Sequence, residues 1–387
     1  MTDHRPTYDW DPRSDTVLDN PVASFDDMRQ RCPVALSEYM GWSVFRHEDV
    51  LAVVTDHETF SNQVSQHRSV PNGLDQPEHT PYRTLIEPFF TDQRMALFEP
   101  ECRDIAAELA RAIAGRKQVD IVTELAEPFA LQIQCAFLGW PDSLQEPLRE
   151  WAHENHEATL AGDREAMAEI AQRFSRYIHQ LLETRREQGD WAPEDPTTDI
   201  MRSTIDGQPI PEEDIVSILR NWTVGEIGTI AASVGLLLKF LAEHPELQAE
   251  LRDDVDKIPE AVDEILRIHG PLVTNRRKAT CPATLQGRQI ETGDRVTVNW
   301  VSANRDERVF PQPDQFRWGR DQSQNLLYGA GLHVCPGAPL ARLELRVLME
   351  ELLQISGAFA PTPDKAPVNA YYPASGYQHL WLDFDAS

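Results

Sequence analysis

Residues 328–337 read Tyr-Gly-Ala-Gly-Leu-His-Val-Cys-Pro-Gly. Three glycines in ten residues, Gly329, Gly331 and Gly337, let the backbone approach a flat, bulky partner and take positive φ where a turn needs it. Cys335 then stands just before an apolar run with helical spacing. Unpaired amides and the positive end of a helix dipole favour a thiolate over a thiol at such a place. A thiolate is a strong iron ligand, and thiolate-ligated haem pushes electron density toward O–O cleavage. The plainer alternative is a structural cysteine after a glycine-rich turn.

Two further groupings could do chemistry or organise it. Glu226 and Thr229 lie three apart in Asn-Trp-Thr-Val-Gly-Glu-Ile-Gly-Thr-Ile, residues 221–230, on roughly one helical face. A hydroxyl and a carboxyl so placed can hold and protonate an oxygen ligand in a dry pocket. Glu264 and Arg267 share a helical face within 261–269 and can pair; on a surface such a pair contributes little.

The elements that must carry these groups are mostly helical. Short helical pieces are expected at 26–28 and 48–55, with a weak strand at 42–45 between them. Apolar residues at three-and-four spacing predict helices over 81–90, 95–113, 123–138 and 164–187. Residues 188–196 read as a loop, and a long helix should run from about 211 to just before Pro245. Residues 283–298 alternate around Gly287 and Gly293 and predict short strands.

Composition sets limits. At 387 residues, with no repeat or low-complexity linker, the chain reads as a single domain, 1–387, with an extended N-terminal segment over roughly 1–20. A formal net charge of −27 argues against nucleic acid or anionic lipid as partner. The five cysteines are scattered without metal-site or disulfide spacing, which suits a reducing cytoplasm. No signal peptide or anchor is expected at the amino terminus, and the most apolar internal stretch, 234–242, contains Lys239 and is short for a bilayer span. A soluble, cytoplasmic protein free of the membrane is the expectation.

The 328–337 segment resembles the haem-binding loop of the cytochrome P450 family, and the resemblance extends over nearly the whole chain. It implies a mainly α fold with small β-sheets, haem b held between the long central helix and the Cys-loop helix, and Cys335 as the iron ligand, with Tyr328, Gly329, His333 and Gly337 around the cofactor. Glu264 and Arg267 match the family's buried Glu-x-x-Arg pair, and Arg320 best matches its third member. His79 and Arg83 match the His-x-x-x-Arg that faces a haem propionate; Arg277, or Arg276 in another register, matches the arginine for the other. Residues 221–230 resemble the oxygen-activating helix, with Gly225, Gly228 and Thr229 in the pattern. They depart from it in one respect: the family's acid directly before Thr is Gly228 here. Glu226 either replaces that acid in the proton relay or is paired or solvated elsewhere.

The resemblance implies a monooxygenase that inserts one atom of O2 into a small organic substrate by hydroxylation or oxidative dealkylation. Electrons would come from NAD(P)H through a separate ferredoxin or flavodoxin and its reductase, since nothing after residue 342 resembles a redox module. Arg342 and Arg346 are one candidate contact for that partner, an ordinary charged helix face beside Glu344 and Glu350 the other. The expected pocket walls are 62–76, 142–163, 222–229, 271–275 and 372–376. The polar Gln63, Gln66, His67 and Arg68 and the apolar Ile227, Leu272, Val273 and Pro373 suggest a small aromatic compound, with a terpenoid or natural-product intermediate as the alternative. A peroxide-driven peroxygenase and a non-catalytic haem or ligand-binding protein are the other classes to weigh. The family's fatty-acid peroxygenases carry Arg-Pro where this helix has neither residue near Thr229.

Overall fold

The computed structural model describes residues 8–65, 67–370, 372 and 374–386. Gln66, Pro373 and the first seven residues of the expected N-terminal extension lie outside them. Within that extension, Asp15–Asp19 is a short helix rather than extended chain. The described chain falls into two interleaved compact units: 8–68, 72–79 and 263–335 form one, and 69–71, 80–262 and 336–386 the other.

The first unit is built on a five-stranded sheet in the order Val34–Ser37, Gly41–Val44, Arg295–Asn299, Thr274–Ala279, Phe60–Ser61. Gly41–Val44 and Arg295–Asn299 run parallel, and every other pairing is antiparallel. Gly41 has φ +70°, and a Cβ there would lie 2.6 Å from the Arg295 carbonyl oxygen, so the strand entry requires glycine. Val34, Val44, Val296 and Val298 bury the sheet's inner face against Val50, Val53 and Val54 of the helix His47–Thr55. The strand Thr274–Ala279 was missed in the sequence because Asn-Arg-Arg-Lys hides its alternation.

The helix Ile258–His269 brings Glu264 and Arg267 into this unit. Both side chains are fully buried. Glu264 accepts from Arg267 Nε at 2.8 Å and Nη2 at 3.0 Å, from Arg320 Nε at 2.7 Å and from Gln322 Nε2 at 3.0 Å. The two guanidinium groups spend their remaining N–H groups on carbonyls: Asn304 and Pro313 for Arg267, and Pro311, Gln312 and Gln315 for Arg320. The pair therefore cross-links one helix to the whole 304–322 approach to the cysteine loop.

The second unit is helical. The long helix Glu212–Glu243 starts behind Pro211 with Glu212, Glu213 and Asp214 in its first turn, where acids complement the dipole. It packs on Glu127–Leu138 and Arg164–Gln188, while Ala338–Ile355 packs along Asp92–Ile113. Small sheets complete the unit, including the three-stranded Phe359–Pro361, Trp381–Phe384, Val119–Asp120. Helices Gln145–Ala161, Pro196–Arg202 and Pro245–Asp253 were not expected; the last follows Pro245 directly, because proline that stops one helix suits the first turn of the next. The apolar stretch 234–242 proves to be part of a longer apolar helix. Glu212–Glu243 has, among the described residues, the length and composition to cross a bilayer, but 56% of its most apolar window is buried inside the protein, as in a core helix.

Burial opposes ionisation of Glu264, but the hydrogen bonds and charge of Arg267, with Arg320 and Gln322, outweigh it and hold the carboxyl below its ordinary range. Its stabilisation is therefore complete above the ordinary carboxylate pKa and is lost as the pH falls through the lowered folded value. Glu264→Ala leaves two buried guanidinium groups without their acceptor and should cost about 3–5 kcal/mol in urea unfolding at neutral pH. The deficit should shrink in acid, where the wild-type carboxylate is itself protonated.

Candidate active site

In the first unit the cysteine loop is shaped by backbone contacts. Gly329 and Gly331 have φ +76° and +71°, and a Cβ on Gly331 would sit 2.6 Å from the Val54 carbonyl oxygen. A 3-10 turn spans Gly331–His333, and the Cys335 amide donates to the Tyr328 carbonyl at 2.8 Å. Asn304 Oδ1, near the carbonyl held by Arg267, accepts from the Leu326 amide at 2.7 Å and so ties the loop to the Glu264 network. Cys335 is exposed, three residues before the helix Ala338–Ile355. Burial drives the Cys102 thiol far above its usual range and that of Cys135 up to about 12, so those two are inert packing groups.

Three of the four expected propionate ligands also lie in this unit. The His79 and His333 rings meet edge to face, with centroids 4.6 Å apart. Strand alternation separates the two arginine registers: Arg277 is buried, whereas its neighbour Arg276 is half-buried on the opposite face. Burial pushes the Arg277 pKa down to about 10 against the opposing charge of Asp75, and its Nη1 donates only to the Arg276 carbonyl, at 2.9 Å. Among the described residues it has no ion-pair partner. A buried cation without an anion is costly, and a carboxylate from a bound group is what it lacks. Arg83, in the second unit, gives its Nε to Glu87 at 2.8 Å. With an exposed thiol over a glycine cradle and an uncompensated buried arginine, the residues present fit a haem.

The oxygen-helix residues belong to the second unit. Thr229 Oγ1 donates to the Gly225 carbonyl at 2.6 Å, a back-bond that leaves its lone pairs outward. A Cβ on Gly225 or Gly228 would meet nothing within 4 Å. In a helix interior each glycine costs about 1 kcal/mol relative to alanine, and the space beside both is open. Glu226 is half-buried, but its Oε1 is shut off from water and its carboxyl interacts with Glu344 of Ala338–Ile355. The expectation of a plain charged face around Glu344 is thus corrected: it is fully buried. Its position inside the apolar stripe Leu340, Leu343, Val347, Leu348 was the signal that could have revealed it.

Arg346 donates to Glu99 at 2.7 Å and to Glu350 at 2.8 Å, and Arg103 binds Glu99, Glu350 and Glu351. The arginine is consumed in this lattice, while Arg342 is exposed. Of the expected pocket residues, Ile227 and Val273 are buried, Leu272 is exposed, and Arg68 pairs with Glu78 at 3.1 Å.

The cytochrome P450 family model matches residues 74–364. The chain belongs to the cytochrome P450 family. It is 29% identical over 343 residues to cyclomarin C epoxidase of Salinispora arenicola, covering 84% of this chain and 86% of that one. It is 30% identical to the erythromycin C-12 hydroxylase of Saccharopolyspora erythraea, covering 84% of each. Among solved structures, cytochrome P450 CYP109Q5 from Chondromyces apiculatus superposes with a TM-score of 0.86 at 27% identity, over 97% of both chains. This P450 is accordingly a haem-dependent monooxygenase that uses haem b, O2 and NAD(P)H-derived electrons delivered by partner proteins.

Replacing Arg277 with Gln removes the uncompensated cation and should weaken haem retention, with Arg276→Gln much closer to wild type. Haem transfer from each purified variant to an apo-globin acceptor measures the difference.

Proposed function

We propose that Cys335 is the axial ligand and that Thr229 and Glu226 handle the proton for oxygen activation. Haem, when bound, supplies the redox chemistry of O–O cleavage. The chain's own residues do the rest. Arg277, Arg83, His79 and His333 would bind the propionates, with Tyr328, Gly329 and Gly337 shaping the cradle and Glu264, Arg267 and Arg320 holding its approach. Gly225 and Gly228 keep room beside the helix for small ligands. Thr229, committed as donor to Gly225, accepts a hydrogen bond from the proton donor, and Glu226 is that donor.

One observation carries this reading: three residues before Thr229, Glu226 Oε1 is shut off from water with no hydrogen-bond donor among the described residues, and burial pushes the carboxyl pKa up, which favours its protonated form. A raised carboxyl is suited to general-acid work. The peroxide-driven alternative has no Arg or Pro in 221–230 to support it.

For the substrate, we favour tailoring of a natural product by hydroxylation or epoxidation. The support is the printed activities of relatives: cyclomarin C epoxidation, erythromycin C-12 hydroxylation, and the mycinamicin IV hydroxylase/epoxidase of Micromonospora griseorubida, 30% identical. The polar stretch around Gln63, His67 and Arg68 supports the second reading, a small aromatic compound. In this reading the whole chain acts as one P450 domain in the cytoplasm. Its electrons come from a ferredoxin or flavodoxin, with Arg342 and Arg346 the candidate contacts.

Titration of the ferric protein followed at the Soret band distinguishes the substrates. A saturable high-spin shift with macrolides or cyclic peptides supports tailoring, and one confined to aromatic ethers or acids supports the second reading. Glu226→Gln should lower product formed per NAD(P)H by about tenfold or more and raise peroxide correspondingly. Unchanged coupling removes Glu226 from the relay.

A further inference from the structure

Glu344 is a titratable group that the reaction as described does not use. It is fully buried at the centre of the helix Ala338–Ile355, which packs on the long helix carrying Glu226. Glu226 Oε1 and both Glu344 carboxyl oxygens are shielded from water, and no N–H or O–H of any described residue reaches them. The two carboxyls lie within hydrogen-bonding reach of each other. If both were ionised, two like charges would face each other with no donor between them. One proton changes this completely: the protonated carboxyl becomes the missing donor and the repulsion disappears.

The surroundings supply no other remedy. Among the described residues no cation acts on either carboxyl. From the helix Asp92–Ile113, Cys102 faces Glu344 as a neutral thiol, while Glu99 and Arg103 are bound up with Arg346, Glu350 and Glu351. On Glu127–Leu138, Cys135 responds to Asp142 instead. Arg164–Gln188 commits His179 and Arg186 to Glu212 and Arg185 to Asp195, and Arg252 of Pro245–Asp253 donates to the carbonyls of Leu353, Ser356 and Gly357.

We propose that Glu226 and Glu344 form a carboxyl–carboxylate pair holding one proton in common, with Glu344 a positioning residue that keeps that proton available to Glu226. The pair deepens the relay reading and rests on it only for its purpose. Burial raises both carboxyls, and the charge of Glu226 raises Glu344 further. The two protons therefore leave in separate steps that belong to the pair. Between those steps the pair carries a single negative charge and can return a proton to Glu226 as soon as one is spent.

Infrared spectroscopy of the ferric holoprotein with 13C-labelled glutamate tests this directly. At a pH where exposed glutamates are ionised, the wild-type spectrum minus that of the Glu226→Gln/Glu344→Gln double variant should contain the C=O stretch of one protonated carboxyl. Its loss at high pH is the upper step of the pair. In Glu344→Gln the remaining Glu226 should titrate about 1 pH unit or more below that step, because the like charge is gone. Glu226→Gln, read at Glu344, should show the same downward shift and serves if Glu344→Gln does not fold. An unshifted step, or no protonated band in the difference spectrum, overturns the pair. The outcomes separate from those of the relay: a shared proton with unchanged coupling in Glu226→Gln leaves the pair standing and removes the relay. Uncoupling without a shared proton makes Glu226 a lone acid.

Discussion

A carboxylate with no contact to water, Glu264, holds the first unit together. Two guanidinium groups and an amide converge on it, and those guanidinium groups reach five backbone carbonyls between residues 304 and 315. That segment has little regular structure of its own. Its path toward Cys335 is set by directed, charge-assisted hydrogen bonds rather than by an apolar face, which could slide. A rigid approach fixes the start of a glycine-rich loop whose backbone would otherwise be free.

Buried charge elsewhere divides into groups that are answered and groups that are not. Arg29 lies between Asp26 and Glu307, and Arg185 is paired with Asp195. Among the described residues Arg277 has no ion-pair partner, only the nearby charge of Asp75, and no cation acts on Glu226 or Glu344. Desolvating such groups costs several kcal/mol unless something compensates. For Arg277 the compensation is an anionic ligand. For the two glutamates it is a proton.

The overall charge of −27 gives little guide to local association. Around the helix Ala338–Ile355 the cations that spacing offers to an acidic partner are partly neutralised by the chain's own acids. Arg346 and Arg103 sit in a lattice with Glu99, Glu350 and Glu351 that stiffens the contact with Asp92–Ile113.

The cysteine loop, the Glu-x-x-Arg pair, the His-x-x-x-Arg and the glycines beside Thr229 could be picked out in the sequence by resemblance to the family, because each is a short local pattern, and the structure shows the Glu264–Arg267 pair buried. Most helices were legible from their apolar periodicity, as was the mainly α class that the superposed structures share. Three features were decided only by tertiary structure. Arg277 rather than Arg276 turns inward because strand Thr274–Ala279 pairs in one register, which polar residues do not reveal. Arg346 is engaged because Glu99, nearly 250 residues earlier in the chain, folds against it. Glu226 and Glu344, 118 positions apart by number, meet because two helices pack together. Whether a carboxyl is solvated, salt-bridged or facing its own kind depends on what surrounds it in space, and a linear pattern contains no measure of that dielectric or of those neighbours.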